Sequence, residues 1–359
     1  MRNQKNTFDL SQTLVTAIIV VVLVGISLIT IWIVRGISAI KDPDISRPSH
    51  SSSQSSKDTK NSDSSESEGS ESSYAEGEGD LSESSAIDQT AIDTSKYKIV
   101  DFSAEDMTRG DLILINADHE YVFRDGEEET FVPIYGNKNK AYRVKDAITV
   151  LNQTTLDALN DFMLGFNEAS GLSTIQVISG YRSYETQKNL YDNRVKQQGE
   201  EEAAKLTAKP GHSEHHSGYA VDLNIYSKDG IFSLTNTGNY TWIYEHAHEY
   251  GFIQRYVDEK ASITGISDEP WHFRYVGMPH ASIMSQRGWC FEEYMQYLEG
   301  YPFGVSHLKT TGPDGSEYEI YYVAASADGS ATSVPVPVSG EYTVSGNNAG
   351  GFIVTIKLS

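Results

Sequence analysis

The chain has a single cysteine, Cys290, among its 359 residues. One cysteine excludes an intramolecular disulfide and a cysteine-based zinc finger, so disulfide-stapled scaffolds are ruled out. An exported protein that uses no disulfides stays compatible with this count. Because Trp289 and Phe291 flank Cys290, we predict a packed thiol rather than a nucleophile.

Basic residues are also scarce. Lysine and arginine number 28 against 50 acidic residues, which gives a net charge of -22 and argues against a nucleic-acid or anionic-lipid partner. Residues 42–93 hold 13 acidic and 3 basic residues, a net of -10. Residues 61–80 contain seven serines, seven acids and no base. Such a segment buries too little apolar surface to fold, so we predict a disordered Ser-rich acidic linker over residues 35–96.

Charged residues are absent from residues 14–34, LVTAIIVVVLVGISLITIWIV. An apolar run of about 20 residues spans a bilayer core as a helix, whereas the apolar region of a secretory signal is shorter. We therefore predict an uncleaved transmembrane anchor at 14–34, preceded by a short cytoplasmic segment at 1–13. A cleaved signal is the alternative. Basic residues flank the run on both sides, so charge alone does not set its orientation.

Hydrophobic periodicity indicates an ordered region that begins near Tyr97. The predicted strands are residues 111–123, 175–183, 219–225 and 269–277. The predicted helices are residues 152–171 with Thr154 or Thr155 as cap and Gly171 as stop, 184–198 capped by Ser183, 239–252, and a helical region from Pro279 towards Gly300. Because strands and helices do not alternate regularly, we predict an α+β fold with helices packed on a central antiparallel sheet over residues 97–305. Residues 306–359 have the pattern of a small β appendage.

Ten histidines are present, and three of them lie within residues 211–223, GHSEHHSGYAVDL. The common zincin motif His-Glu-x-x-His is absent, because neither His119 nor His248 is followed by a second histidine at the required spacing. His246 and His248 are two residues apart on a predicted helix and face different directions, so we interpret both as structural.

Three blocks of sequence carry a family resemblance. Residues 213–222 read Ser-x-His-x-x-Gly-x-Ala-x-Asp, and residues 269–272 read Glu-Pro-Trp-His. Residues 179–183, SGYRS, with Gln187 form a third block upstream. Together they resemble the peptidase family of VanY-type D-alanyl-D-alanine carboxypeptidases, within the wider group of lysostaphin-type peptidases and the zinc-bearing hedgehog domain. The resemblance covers about residues 100–300.

The resemblance implies one Zn²⁺ bound by His215, Asp222 and His272, with the fourth position left for water. It also implies that Glu269 is the general base and that Arg182 binds the substrate or stabilises its developing oxyanion. The implied substrate-binding residues are Arg182, Ser213, Gln187 and Tyr184. His212 and His216 are interpreted as structural, and Arg274 fits a solvated strand residue equally well.

The function implied is that of a membrane-anchored zinc D,D-carboxypeptidase. It would act outside the cell membrane and remove the C-terminal D-Ala of peptidoglycan stem peptides. L,D-carboxypeptidase or endopeptidase activity of the same family is one alternative, and a non-catalytic zinc-containing wall-binding module is another. A serine D,D-peptidase is disfavoured, because no Lys-Thr-Gly follows the Ser-x-x-Lys at residues 306–309 and the Ser-x-Asn at residues 345–347.

Overall fold

The computed structural model describes residues 93–358, whose strands form four sheets. The strands are β1 Tyr97–Phe102, β2 Val132–Pro133, β3 Arg143–Val144, β4 Val150–Leu151, β5 Ile175–Ser179, β6 Ala220–Ser227, β7 Gly230–Ser233, β8 Phe252–Gln254, β9 His272–Tyr275, β10 Leu308–Thr311, β11 Glu317–Ala324, β12 Thr332–Pro337, β13 Glu341–Gly346 and β14 Gly351–Lys357. The α-helices are α1 Ile134–Asn137, α2 Gln153–Ser170, α3 Tyr184–Gln198, α4 Glu200–Leu206, α5 Thr241–His246, α6 Ala261–Thr264, α7 Met278–Arg287 and α8 Phe291–Glu299.

The central sheet has the order β3-β5-β6-β9-β8, and β7 pairs with β6. The β5–β6, β6–β7, β6–β9 and β8–β9 pairs are antiparallel, as the sequence predicts. The prediction of a purely antiparallel sheet is wrong at one edge, because β3 pairs with β5 in parallel. The short β3 enters from the preceding loop rather than from a hairpin, so no tight turn constrains its direction.

Helix α2 covers one face of this sheet. Five of its apolar residues recur at helical spacing and are buried in the main hydrophobic core: Leu156, Leu159, Phe162, Met163 and Phe166. Asn152, rather than either predicted threonine, caps the helix by accepting a hydrogen bond from the Thr154 amide at 3.0 Å. Gly171 ends the helix in the left-handed conformation, as predicted.

Residues 111–123, predicted as a strand, form no strand, and the buried residues among them are Leu112, Ile113, Leu114, Ile115 and Tyr121. Their backbone groups bind partners from separate loops instead of a neighbouring strand. The Leu114 amide donates to the Asn347 carbonyl at 3.0 Å, and the Tyr121 amide donates to the Gly211 carbonyl at 2.7 Å. Apolar spacing therefore predicted the burial of these five residues but not the exposure of Val122 and Phe123, and it could not predict which groups would accept the hydrogen bonds.

The C-terminal sheet has the order β10-β11-β14-β13, and its β13–β14 hairpin agrees with the prediction. β10 and β12 were not predicted. β1, from the start of the predicted peptidase region, pairs with β12 along its whole length. Ile320 of β11 and Ile353 of β14 share a hydrophobic cluster with residues of α7 and α8. The division between residues 97–305 and 306–359 stays a prediction, and the C-terminal strands pack directly on the helices that precede them.

The predicted N-terminal segment and membrane span lie outside the described residues, and so does nearly all of the predicted linker. Within residues 93–358, no helix combines the length and apolar character that crossing a bilayer requires.

Candidate metal centre and active-site cleft

The β6–β9 pairing places two of the predicted metal ligands opposite each other. Asp222 and His272 are direct partners in the antiparallel register, fifty residues apart in the chain. The Asp222 Oδ1 atom lies 3.0 Å from His272 Nδ1. Val221 and Leu223 point to the opposite face and join the main hydrophobic core, as strand alternation predicts. The sheet register thus turns one carboxylate and one imidazole towards the same side.

The third predicted ligand, His215, lies on a 3₁₀ turn at Glu214–Ser217, just before β6. Gly218 ends this turn in the left-handed conformation, with φ of 70°. A side chain at Gly218 would meet the Asn152 amide nitrogen and the Phe131 ring, each 2.9 Å from its Cβ. The glycine is therefore required by the turn and by close packing against neighbouring residues, rather than by an approach of the backbone to a metal.

A hydrogen bond fixes the orientation of the His215 ring. Its Nδ1 atom lies 2.7 Å from the Gly180 carbonyl oxygen, which can only accept, so Nδ1 carries the proton. Nε2 then bears the lone pair and lies 3.2 Å from Asp222 Oδ2. Burial, followed by the nearby Arg182 guanidinium, lowers the pKa of His215 and keeps the ring neutral.

His215, Asp222 and His272 form what we call the ligand cluster. One donor atom from each lies within 4.8 Å of the others, and all three residues are buried. Tetrahedral ligands at zinc's usual bond lengths are about 3.3 Å apart, close to the 3.0 and 3.2 Å separations found here. Two imidazoles and one carboxylate are also the donor types that catalytic zinc sites use. The cluster therefore fits a divalent cation such as zinc.

Without a cation, the charge of the Asp222 carboxylate is balanced only by a protonated His272. Burial alone would raise the pKa of Asp222, but the two imidazoles outweigh it and hold the pKa well below its usual range. Burial alone would lower the pKa of His272, but hydrogen bonds to Asp222 and Glu214 raise it to about 9. The carboxylates around His272 thus favour a positive charge between them, whether it is a proton on the imidazole or a bound cation.

Glu269, the predicted general base, lies beside the ligand cluster. Its Oε2 atom is 3.9 Å from His272 Nδ1, and its side chain is 18% exposed. The His272 amide donates to the Glu269 carbonyl at 3.0 Å, which ties the two residues into one turn. Burial, with a contribution from Asp222, raises the pKa of Glu269 to about 7. A carboxylate with this pKa can both take up and release a proton near neutral pH.

Arg182 reaches the same site from the loop between β5 and α3. Its Nη2 atom is 3.6 Å from Asp222 Oδ2 and donates to Ser179 Oγ at 2.9 Å. Its Nη1 atom donates to Gln187 Oε1 at 2.7 Å, and Gln187 Nε2 donates to the Ala208 carbonyl at 2.6 Å. These bonds hold the guanidinium beside the ligand cluster. Gln187 therefore orients Arg182, in addition to lining the cleft.

A cleft of about 250 Å³ opens onto these groups. Ser213 lines the cleft, and its contact with substrate stays a prediction. Tyr184 is not among the lining residues. Because it opens α3 at the end nearest Phe123, its half-exposed ring packs edge-on against that phenylalanine, with centroids 5.9 Å apart. The predicted part of Tyr184 in substrate binding therefore has no support from the cleft geometry.

A second group of buried charges lies behind the ligand cluster, and we call it the arginine cluster: Glu214, Arg255, Arg274 and Glu292. Glu214 Oε1 accepts hydrogen bonds from Arg255 Nε at 2.8 Å and from Arg274 Nη1 at 3.1 Å. Arg255 also donates to both carboxylate oxygens of Glu292, at 2.9 and 2.6 Å. The description of Arg274 as a solvated strand residue is wrong, because its side chain is fully buried.

Sequence reasoning missed Glu214, Arg255 and Glu292. The one available signal was position, since Glu214 lies directly before a predicted ligand within the motif. A buried arginine in a strand pattern has no signature of its own, because its burial depends on acids that are distant in the chain.

The remaining histidines of the motif have structural partners. His216 Nδ1 donates to the Arg182 carbonyl at 2.6 Å, and its Nε2 accepts from the Gly211 amide at 3.1 Å. His212 Nδ1 lies 2.7 Å from the Asn116 carbonyl. Both agree with the structural interpretation.

The other chemically reactive side chains are also accounted for. Cys290 is buried, and burial raises the pKa of its thiol to about 11, which agrees with a packed, unreactive side chain. His246 has a local partner in Glu249, and His248 contacts Ser282, 34 residues further along the chain.

Comparisons with known proteins agree with this geometry. Residues 149–278 match the family described as VanY, D-alanyl-D-alanine carboxypeptidase. A D-alanyl-D-alanine carboxypeptidase of Enterococcus faecium is 32% identical over 260 residues, covering 70% of this chain and 77% of the relative. The bifunctional D-Ala-D-Ala dipeptidase and carboxypeptidase VanXYC of Enterococcus gallinarum is 36% identical over 135 residues, covering 36% of this chain and 71% of the relative.

A solved structure is similar over most of the described region. The vancomycin-resistance D,D-dipeptidase VanXYg, solved with a D-Ala-D-Ala phosphinate analogue, aligns with a TM-score of 0.65 and 34% identity. The alignment covers 73% of this chain and 99% of that protein. The mixed α/β fold matches this structure. The chain therefore belongs to the VanY family of D-alanyl-D-alanine carboxypeptidases and is a peptidase.

Proposed function

We propose that this protein is a zinc-dependent D,D-carboxypeptidase that hydrolyses the terminal D-Ala from peptidoglycan stem peptides. The observation that carries the proposal is the convergence of His215, Asp222 and His272 beside Glu269, on the floor of one cleft. A zinc ion held by the three ligands would activate a water molecule and polarise the scissile carbonyl. Membership of the family supports the reaction type.

Glu269 is proposed to move the proton. Its carboxylate takes a proton from the attacking water as the water oxygen bonds to the peptide carbonyl carbon. The same carboxyl group then gives the proton to the leaving amine of D-Ala as the C–N bond breaks. The pKa of about 7 suits both steps, because the group is ionised in part of the population and is a competent acid once protonated.

Arg182 is proposed to bind negative charge on the substrate. The guanidinium lines the cleft, and its bonds to Ser179 and Gln187 fix its plane without occupying all five N–H donors. The remaining donors suit either the terminal carboxylate of the peptide or the oxyanion that forms at the scissile carbonyl. Ser213 and Gln187 are proposed to complete the substrate contacts.

The proposal includes the location of the protein. Residues 14–34 would anchor it as a single-pass membrane protein, with the peptidase region outside the cell membrane, where its substrate is. What supports this is the 21-residue run without charge, which is long enough for a bilayer core. Protease treatment of intact cells tests it: loss of the peptidase region with retention of the N-terminal segment is expected, and full protection would contradict it.

The test of function measures D-Ala released from a pentapeptide ending in D-Ala-D-Ala by the full-length protein. Release should stop with a chelator and return with zinc. Glu269→Gln should lower kcat about 10²- to 10⁴-fold while zinc stays bound. Asp268→Asn, a neighbouring exposed acid outside the cleft lining, is the matched control and should keep most activity.

Four other outcomes would replace the proposal. Release of D-Ala from a tetrapeptide alone would indicate L,D-carboxypeptidase activity, and cleavage of cross-linked muropeptides alone would indicate an endopeptidase. Activity that resists chelation and is blocked by a β-lactam would indicate serine chemistry. One bound zinc with no turnover of any muropeptide would indicate a binding module.

A further inference from the structure

Glu214 places a buried carboxylate directly behind the ligand cluster. Its side chain is fully buried, and its Oε2 atom lies 3.3 Å from His272 Nε2. We propose that Glu214 is a positioning residue that fixes the tautomer and ring orientation of His272, so that Nδ1 of this imidazole presents its lone pair to the metal. The inference rests on the metal-dependent function proposed above, and it assigns a role to a residue outside the ligand set.

The two nitrogens of His272 face different acceptors. Nδ1 faces Asp222 Oδ1 at 3.0 Å, on the side where the His215 lone pair also converges. Nε2 faces only the Glu214 carboxylate among the described residues. A neutral imidazole carries one proton, and a carboxylate acceptor at Nε2 stabilises the form with that proton on Nε2. Nδ1 is then free to bind a cation, and the carboxylate makes the ring a stronger ligand.

The arginine cluster holds Glu214 in the orientation that this role requires. Arg255 and Arg274 both donate to Oε1, which leaves Oε2 for His272. Arg274 Nη2 is itself fixed by the carbonyl oxygens of Asp111 and Ile113, at 2.9 and 3.0 Å. If the Glu214 carboxylate turned away, two buried guanidinium groups would lose an acceptor, which is costly where water cannot replace it.

A purely structural ion-pair network would make Glu214 and Glu292 equivalent. Both are acids bonded to Arg255, and together they balance the two arginines. Only Glu214 also contacts a predicted metal ligand. Glu292 lies on α8 and accepts instead from Asn116 Nδ2 at 3.0 Å. The pair therefore offers a matched comparison, in which loss of charge is the same and contact with His272 differs.

The experiment compares Glu214→Gln with Glu292→Gln in the full-length protein, using zinc affinity measured by competition with a chromophoric chelator. Glu214→Gln should weaken zinc binding about 10- to 100-fold. Glu292→Gln should change it less than about threefold. The visible spectrum of the Co²⁺-substituted protein adds a measure of ligand geometry, and it should change in the first variant alone. Equal affinities in all proteins, or equal losses in both variants, would overturn the proposal.

A measurement on the wild-type protein keeps the test decisive if Glu214→Gln does not fold. The ¹⁵N spectrum of the zinc-loaded, histidine-labelled protein should show His272 protonated at Nε2 and bound through Nδ1. Binding through Nε2 would refute the assigned orientation. His215→Ala tests the proposed metal site separately from the role of Glu214. If this variant still binds one zinc with wild-type affinity, the proposed metal site is wrong, whatever the result for Glu214→Gln.

Discussion

The arginine cluster and the ligand cluster are both buried and lie side by side, but their hydrogen-bonding groups are arranged differently. In the arginine cluster, two acids and two arginines balance, and each charged group has a hydrogen-bonding partner of opposite sign. In the ligand cluster, a carboxylate and two imidazoles direct acceptor atoms towards one point. The first is complete as folded, whereas the second would be completed by the proposed cation. Buried polar side chains thus point to a binding site where ligand atoms of several residues converge.

The two clusters are joined by one shared contact, and this contact suggests what the arginine cluster does for the ligand cluster. Glu214 belongs to the arginine cluster and also bonds to His272 of the ligand cluster. A binding site must keep its ligands in place before the cation arrives, since otherwise ordering them would weaken binding. A balanced network of buried ion pairs resists rearrangement, because breaking any pair leaves a buried charge unpaired. The complete cluster can thereby supply the rigidity that the incomplete one needs.

The largest effect is expected from removing a ligand. His215→Ala should abolish zinc binding and lower D-Ala release by more than about 10³-fold, because the cation contributes several kcal/mol of transition-state stabilisation. His212→Ala removes a neighbouring histidine whose Nδ1 bonds only to the Asn116 carbonyl among the described residues, and should retain activity within about tenfold. Zinc content by elemental analysis and D-Ala release check both. Similar losses in the two variants would contradict the division between ligand and structural histidines.

Breaking the balanced cluster should cost stability. Arg255→Met leaves Glu214 and Glu292 without their shared partner, and we expect the free energy of unfolding to fall by about 3–5 kcal/mol. Lys260→Met removes a partially exposed ion pair to Glu293, the residue that follows Glu292 on α8, and should cost much less stability. Urea unfolding of the metal-free proteins measures both. Equal costs would show that burial of the pair makes no difference.

Binding of zinc to the ligand cluster should stabilise the folded state, because the metal binds the folded protein and not the unfolded chain. Free zinc at about 100 times its dissociation constant should add about 2.7 kcal/mol to the free energy of unfolding. In His215→Ala the addition should vanish, so that this variant has the same free energy of unfolding with and without zinc. Thermal unfolding with and without chelator provides the comparison, and a wild-type melting temperature indifferent to zinc would contradict it.

The smallest effect concerns a third buried group, His280, whose hydrogen-bonding partners among residues 93–358 are uncharged. Its ring lies between Tyr294 Oη and Thr355 Oγ1. Burial lowers the pKa of His280 to about 3, whereas the pKa of His272 is raised to about 9. The unfolded chain, with a pKa near 6.5, takes up a proton that the folded protein excludes. Stability from this residue is therefore present above pH 6.5 and is lost as pH falls, by at most about 1.4 kcal/mol per pH unit.

His280→Gln should flatten that dependence in urea unfolding of the metal-free protein between pH 7 and pH 5. His246→Gln, which changes a partly exposed histidine, is the control and should keep the wild-type slope. A slope that is unchanged in His280→Gln would show that the ring is already protonated in the fold.

Much of the local structure was predictable because its causes are local. Helix α2 was predicted from its apolar spacing and its Gly171 stop, and α3 from Ser183, which caps it as expected by accepting a hydrogen bond from the Thr186 amide. The strand bearing Asp222 was predicted from alternation. Residues 111–123 were predicted as a strand and are not one, because apolar spacing reports burial and says nothing of the partner that receives each backbone hydrogen bond.

The sequence by itself determined the chemical identity of the candidate site: two histidines, one aspartate and one glutamate, spaced in motifs that a known family shares. Only the tertiary structure decided how they meet. The register of β6 against β9 sets Asp222 opposite His272, and bonds across 41 and 60 residues join Glu214 to Arg255 and Arg274. The reason is physical. A motif fixes which atoms are available, but the partner of a buried charge depends on which distant segments the fold brings into contact.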